Sequence, residues 1–150
     1  MHWPDETACE RTATALARQP ALCDAFIELN GPLGAGKTTF ARHLLRALGI
    51  EGHVKSPTYA LMEPYSVSTD DGSWNVSHFD FYRFDDPQEW EDAGFRDVFA
   101  SAGLKLAEWP EKAAGLLPLP DLRITIDPLP DEQRSVRLDA LSARGVQLLS

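Results

Sequence analysis

Residues 31–38 read Gly31-Pro32-Leu33-Gly34-Ala35-Gly36-Lys37-Thr38 and fit the spacing G-x-x-x-x-G-K-[ST], in which glycines let a backbone turn aim several N–H groups at one phosphate. Lys37 in that arrangement spans the β- and γ-phosphates, and Thr38 offers a hydroxyl to Mg²⁺. A helix starting at the loop's end adds partial positive charge. A chance match in a chain of 150 residues arises roughly 1 time in 200 from average residue usage, so nucleotide phosphate binding outweighs a glycine turn beside a surface lysine.

A phosphate cradle alone hydrolyses nothing; carboxylates and a residue that answers to the γ-phosphate are also needed. Asp80 lies near the end of an alternating strand, on the face opposite Phe79 and Phe81. Glu108 lies near the carboxyl end of another apolar run, and open α/β sheets bind ligands outside those ends. Either carboxylate suits direct or indirect contact with Mg²⁺, and either could be an ordinary strand-end charge. Thr58 follows Ser56-Pro57 in an extended segment, a place for a loop that senses the γ-phosphate or for a plain turn threonine. His2, His43, His53 and His78 show no metal-ligand spacing. Trp109 could stack on a base, but a strand-end tryptophan reads first as core.

Positioning these groups requires a strand before the glycine loop and a helix after it. Residues 25–30 are a short apolar run ending at Gly31, and residues 37–48 carry Phe40, Ala41, Leu44, Leu45 and Leu48 at helical spacing before Gly49. Upstream, residues 5–18 suit a surface helix with Asp5 and Glu6 at its positive end. Downstream, residues 60–67 and 74–82 read as strands joined by a polar turn over 68–73, and Asp86-Pro87 opens a helix through Ala93. A buried strand over 104–109, a short helix over 110–116, and strands over 122–126 and 136–141 complete the reading. The expected fold is α/β: a single P-loop NTPase domain over residues 1–150, with a central mostly parallel sheet flanked by helices and additional antiparallel strands.

Composition narrows the setting. With 14 Lys plus Arg against 23 Asp plus Glu the formal charge is −9, which argues against unaided binding to nucleic acid. The apolar runs fall far short of a membrane span, so a soluble cytoplasmic protein is expected. Cys9 and Cys23 are too few for a disulfide framework and read as reduced thiols.

The ordered blocks go beyond spacing. Gly31 to Phe40 is followed by Val54-Lys55-Ser56-Pro57-Thr58-Tyr59, Glu63-Pro64-Tyr65, His78-Phe79-Asp80-Phe81-Tyr82-Arg83, Gly94-Phe95-Arg96-Asp97 and Ala107-Glu108-Trp109-Pro110-Glu111. This succession closely resembles the TsaE (YjeE) family of small bacterial ATPases over nearly the whole chain. The resemblance implies ATP and Mg²⁺ as cofactors and a part in making N6-threonylcarbamoyladenosine in tRNAs that read codons beginning with A. It implies docking on TsaD and TsaB, which perform the transfer, with tRNA met only through that complex. For the site it implies phosphate contacts from Leu33, Gly34, Ala35, Gly36, Lys37, Thr38 and Thr39. It further implies Mg²⁺ coordination by Thr38 and Glu108, a catalytic or metal-side role for Asp80, a switch-like role for Thr58, and Glu6 and Arg134 around the nucleoside. Pro32, where many members have Asp, and the long polar turn over 68–73 depart from the family pattern.

Other classes stay open at this level. A small-molecule or nucleoside kinase shares the P-loop but normally closes an arginine-bearing lid, and no arginine cluster stands out beyond Arg134 and Arg137. A regulatory GTPase needs an N-K-x-D guanine reader, yet Asn30 and Asn75 precede Gly31 and Val76. A nucleotide-binding scaffold without hydrolysis fits poorly with Asp80 and Glu108.

Overall fold

The structure, a computed structural model, describes residues 1–51 and 61–150. In chain order its elements are β1 (His2–Trp3), α1 (Glu6–Ala17), β2 (Phe26–Asn30), α2 (Lys37–Ala47), β3 (Met62–Thr69), β4 (Gly72–Asp80), α3 (Pro87–Ala93), α4 (Phe95–Ala100), β5 (Leu104–Glu108), β6 (Leu122–Pro128), β7 (Arg134–Ala140) and α5 (Ala143–Leu148). Local chemistry sets the helix starts. The Asp5 carboxylate accepts from the Ala8 amide at 3.0 Å, and Asp86 with Glu89 forms a reciprocal capping box on α3. Helix α2 differs: its N-cap is Gly36 at φ 106°, with no side-chain cap. Its first amides therefore have no capping side chain as acceptor.

Among the described residues the strands form one seven-stranded sheet in the order β1-β7-β6-β2-β5-β4-β3. The pairs β6–β2, β2–β5 and β5–β4 run parallel, so the carboxyl ends of these strands share one edge. The pairs β1–β7, β7–β6 and β4–β3 are antiparallel. Covered on both faces, β5 buries every residue, as central parallel strands do. On one face Ile27, Leu29, Leu106 and Ile124 pack with Phe40, Leu44 and Leu45 of α2. On the other, Phe26, Phe79, Phe81 and Ala107 meet Trp90 and Phe95 from α3 and α4. Phe79 stacks on Phe99 at 4.7 Å between ring centroids and meets Phe95 edge-on at 5.1 Å, pairs that contribute about 0.5–1.5 kcal/mol each beyond burial. Anchored by Phe79, β4 turns His78 and Asp80 toward the α2 face.

The sequence expectation of an α/β domain with a mostly parallel centre holds, and so does the strand, glycine loop and helix unit. Three details differ. The polar turn shortens to Asp70 and Asp71, because Ser68 pairs with Ser73 and Thr69 with Gly72; an exposed ribbon accepts polar residues on both faces, so composition overstated the loop. The expected helix over 110–116 is a 3-10 turn, Pro110–Ala113. Helices α4 and α5, six residues each, and β1, two residues, are too short for a period to register. Cys9 and Cys23 are free thiols, Cys9 buried. Among the described residues no helix is long and apolar enough to cross a membrane.

Gly31 makes the turn out of β2 possible. It sits at φ 150°, and a Cβ there would overlap the Ile126 carbonyl oxygen at the end of β6. Gly31→Ala is expected to destabilise the fold by about 2–3 kcal/mol through that overlap. The check is the midpoint shift in urea unfolding; an unchanged midpoint would show that β6 yields freely.

Candidate functional site

The loop between β2 and α2 winds through Gly31, Gly34 and Gly36 at φ 150°, 78° and 106°, and the Ala35 amide closes it onto the Pro32 carbonyl at 3.1 Å. Lys37 follows. Its Nζ donates to the Gly31 carbonyl at 2.5 Å and lies over the Trp109 ring, 3.5 Å from the centroid. Trp109 adopts the left-handed region at φ 56° and ψ 48°, uncommon for a bulky residue, which carries its ring off the end of β5 and against the amine. Burial lowers the Lys37 pKa, against the opposing pull of Glu108, Glu111 and Asp80. The negative charge of an arriving phosphate would act in the same direction as those carboxylates, favouring the protonated amine.

Two carboxylates meet this amine because of strand register. Glu108 pairs with Leu29 of β2 and with Asp80 of β4, which sets both acids at the carboxyl edge on the α2 side. Glu108 is 2% exposed, and each of its oxygens is engaged: the Thr38 hydroxyl donates to Oε1 at 2.8 Å and His78 Nε2 donates to Oε2 at 2.6 Å. Asp80 Oδ1 accepts the Tyr82 amide at 3.0 Å.

This donor set fits Mg²⁺. The Thr38 and Glu108 oxygens, 2.8 Å apart, match the edge of an octahedron with metal–oxygen distances of 2.0–2.1 Å, about 2.9 Å. Among the described residues no group of three or more His, Cys, Asp and Glu gathers to cage a metal. Mg²⁺ at a nucleotide takes only one or two protein oxygens, the rest coming from phosphate and water.

Beside the loop lies a cavity of about 380 Å³ whose lining includes Trp3, Glu6, Gly36, Thr39, Arg42 and Arg134. Arg134 Nε donates to the Ala35 carbonyl at 2.7 Å, tying the start of β7 to the glycine loop. Glu6 Oε1 accepts from His43 Nε2 at 3.0 Å, joining α1 to α2. The cavity opens on Gly36 and Thr39, so a nucleoside placed there would have its phosphates directed at the loop.

The family model described as "Threonylcarbamoyl adenosine biosynthesis protein TsaE" matches residues 3–136. The chain belongs to the TsaE family. A TsaE from Haemophilus influenzae is 43% identical over 124 residues, covering 83% of this chain and 75% of that protein. One from Bacillus subtilis is 35% identical over 141 residues, 94% of this chain and 84% of that one. The crystal structure of Bacillus subtilis YdiB superposes with a TM-score of 0.77 at 26% identity, covering 99% of this chain and 89% of that one.

In this TsaE chain the structure gathers Lys37, Thr38, Asp80 and Glu108 at one edge, with Gly34, Ala35, Gly36 and Thr39 around them and Glu6 and Arg134 on the neighbouring cavity. Leu33 is 75% exposed at the loop's tip. Thr58 lies outside the described residues. Two contacts at the site go beyond what the sequence reading supplies. His78 was passed over for want of ligand spacing, although its place two residues before Asp80 on an alternating strand already set it on the same face. Trp109 reads first as core, and it packs against the phenylalanine cluster while its ring also backs the Lys37 amine.

Proposed function

We propose that this chain is a Mg²⁺-dependent ATPase that acts as an accessory to formation of N6-threonylcarbamoyladenosine in tRNA, docking on a TsaB–TsaD complex that carries out the transfer itself. The observation that carries the reading is the Thr38–Glu108 hydrogen bond at 2.8 Å beside a buried Lys37. The pathway assignment draws on the names of the relatives, and the partners on the family resemblance.

ATP seats its phosphates on the uncapped amides of α2 and the 31–37 loop, with its nucleoside in the cavity bounded by Glu6 and Arg134. Lys37 leaves the Gly31 carbonyl for the β- and γ-phosphates, a charge-assisted contact. Thr38 and Glu108 would hold Mg²⁺, which would supply charge neutralisation for the phosphates. Both Glu108 oxygens already accept hydrogen bonds, which suits a holding role. Asp80, at the strand end and less buried, orients the attacking water. That water adds to the γ-phosphorus, the bond to the bridging oxygen breaks, and the products are ADP and inorganic phosphate. An arginine-lidded kinase fits less well: Arg134 is tied to Ala35 and Arg137 pairs with Asp139 at 2.9 Å.

The −9 charge predicts that the protein alone binds tRNA weakly near physiological salt. Labelled tRNA titrated at about 0.15 M salt should bind only with TsaB–TsaD present, and differently with ATP and ADP. Phosphate release measured with ATP or GTP, with and without TsaB–TsaD, tests the activity. Tight tRNA binding by the chain alone, or no ATP-dependent release in either setting, overturns the reading.

A further inference from the structure

The β4–β5 register pairs His78 with Leu106, two residues before Glu108 on the same face, so the imidazole reaches along the sheet to the Glu108 carboxylate. The ring is fully buried, with Nε2 2.6 Å from Oε2, and its Nδ1 has no hydrogen-bond partner among the described residues. A buried, unpaired N–H costs more than a bare lone pair, and an ionised carboxylate has no proton to give. Nε2 as the donor nitrogen satisfies both conditions. For packing alone a leucine would serve at this position without burying a polar nitrogen that has no partner.

We infer that His78 is a positioning residue: its Nε2–H fixes the plane of the Glu108 carboxylate so that Oε1 stays on Thr38, facing the phosphate end of the site. Two donors from different elements, Thr38 of α2 and His78 of β4, then hold the two oxygens and leave the carboxylate a single orientation. The inference rests on the proposed role of Glu108 in nucleotide hydrolysis. Partners of this kind behind a metal-holding side chain typically change metal affinity or activity about 10- to 100-fold.

The test uses the full-length chain as His78→Leu, His78→Gln, Glu108→Gln and the double variant His78→Leu/Glu108→Gln, with melting curves to establish folding. The readouts are the Mg²⁺ concentration that half-saturates its effect on labelled ADP binding, and kcat and KM for ATP. For His78→Leu, half-saturating Mg²⁺ should rise and kcat should fall about 10- to 100-fold. ADP affinity in chelator and KM for ATP should stay within about twofold, the scatter expected for uncoupled changes. His78→Gln should recover most of the loss, because the glutamine amide N–H reaches the place of Nε2. In the Glu108→Gln background, His78→Leu should add less than about twofold. An unchanged Mg²⁺ response in His78→Leu, equal damage in the Leu and Gln variants, or an undiminished effect in the Glu108→Gln background overturns the inference while leaving Glu108 in place.

If the wild-type chain shows neither hydrolysis nor a Mg²⁺ effect, the proposed function fails separately. Nitrogen-15 NMR of the histidines then decides on His78. A proton on Nε2 whose signal moves in Glu108→Gln supports the role, and a proton on Nδ1 overturns it. The same spectrum and the Gln variant decide if His78→Leu does not fold.

Discussion

Lys37→Ala should lower ATP hydrolysis by roughly 100- to 1000-fold in a chain that still folds, the loss expected when a single fixed donor to developing charge is removed. The amine is placed by both the loop and the end of β5, against Gly31 and Trp109. Alanine keeps the helix start intact, since it is the best helix former and the N-cap is Gly36, not residue 37. The fold loses a hydrogen bond to a carbonyl and a cation over a ring, together about 1–2 kcal/mol. It also sheds the cost of a buried charge, which is the physical content of the lowered Lys37 pKa. Phosphate release alongside circular dichroism and a melting curve separates the two effects. Full hydrolysis by a folded Lys37→Ala protein would falsify the assignment of the site.

Glu108→Gln should leave nucleotide binding in chelator nearly intact and reduce Mg²⁺-dependent turnover by a comparable 100-fold or so. The substitution keeps shape but removes the charge and half of the acceptor capacity. Its carbonyl can still accept from His78 Nε2–H, and its NH₂ can donate to the Thr38 hydroxyl, which then turns its own proton elsewhere. The pocket of partners therefore survives and the expected cost in stability is small, about 1–2 kcal/mol. Asp80→Asn provides the comparison. Added Mg²⁺ should partly restore the Glu108 variant and leave the Asp80 variant unmoved, because the proposed role of Asp80 is toward water. Wild-type turnover in Glu108→Gln, or equal rescue of both variants by Mg²⁺, would reverse the assignment.

The glycine loop was legible because its constraints are local: left-handed glycines, a strand before and an amphipathic helix after are all written within residues 25–48. Asp80 and Glu108 were legible as strand-end acids, since period-two alternation assigns faces and parallel strands share a ligand edge. What alternation does not give is register. Only the pairing of Asp80 with Glu108 and of Leu29 with Glu108 brings 28-residue and 79-residue separations down to neighbours. The Glu108–His78 contact depends on that register, the Arg134–Ala35 bond, 99 residues apart in sequence, on the β6–β7 register, and both on side-chain reach. The contact of Trp109 with Lys37 is illegible for a different reason: its backbone leaves the strand in a left-handed turn that the sequence Glu108-Trp109-Pro110 does not announce.

The resting place of the Lys37 amine sets the terms of nucleotide entry. A phosphate arriving at the loop does not find a hydrated ammonium; it competes with an internal acceptor, the Gly31 carbonyl, and with the face of Trp109 for the same cation. Measured affinity is then a difference between two sets of contacts within one loop. Giving up the ring contact alone, about 0.5–2 kcal/mol, weakens binding by roughly 2- to 30-fold relative to a lysine waiting in water. A ligand too short to reach Lys37 gains nothing from this exchange, whereas one carrying both β- and γ-phosphates can displace both resting contacts at once. On the proposed reading, this exchange cost would fall on nucleotides long enough to engage Lys37 and would spare shorter ones.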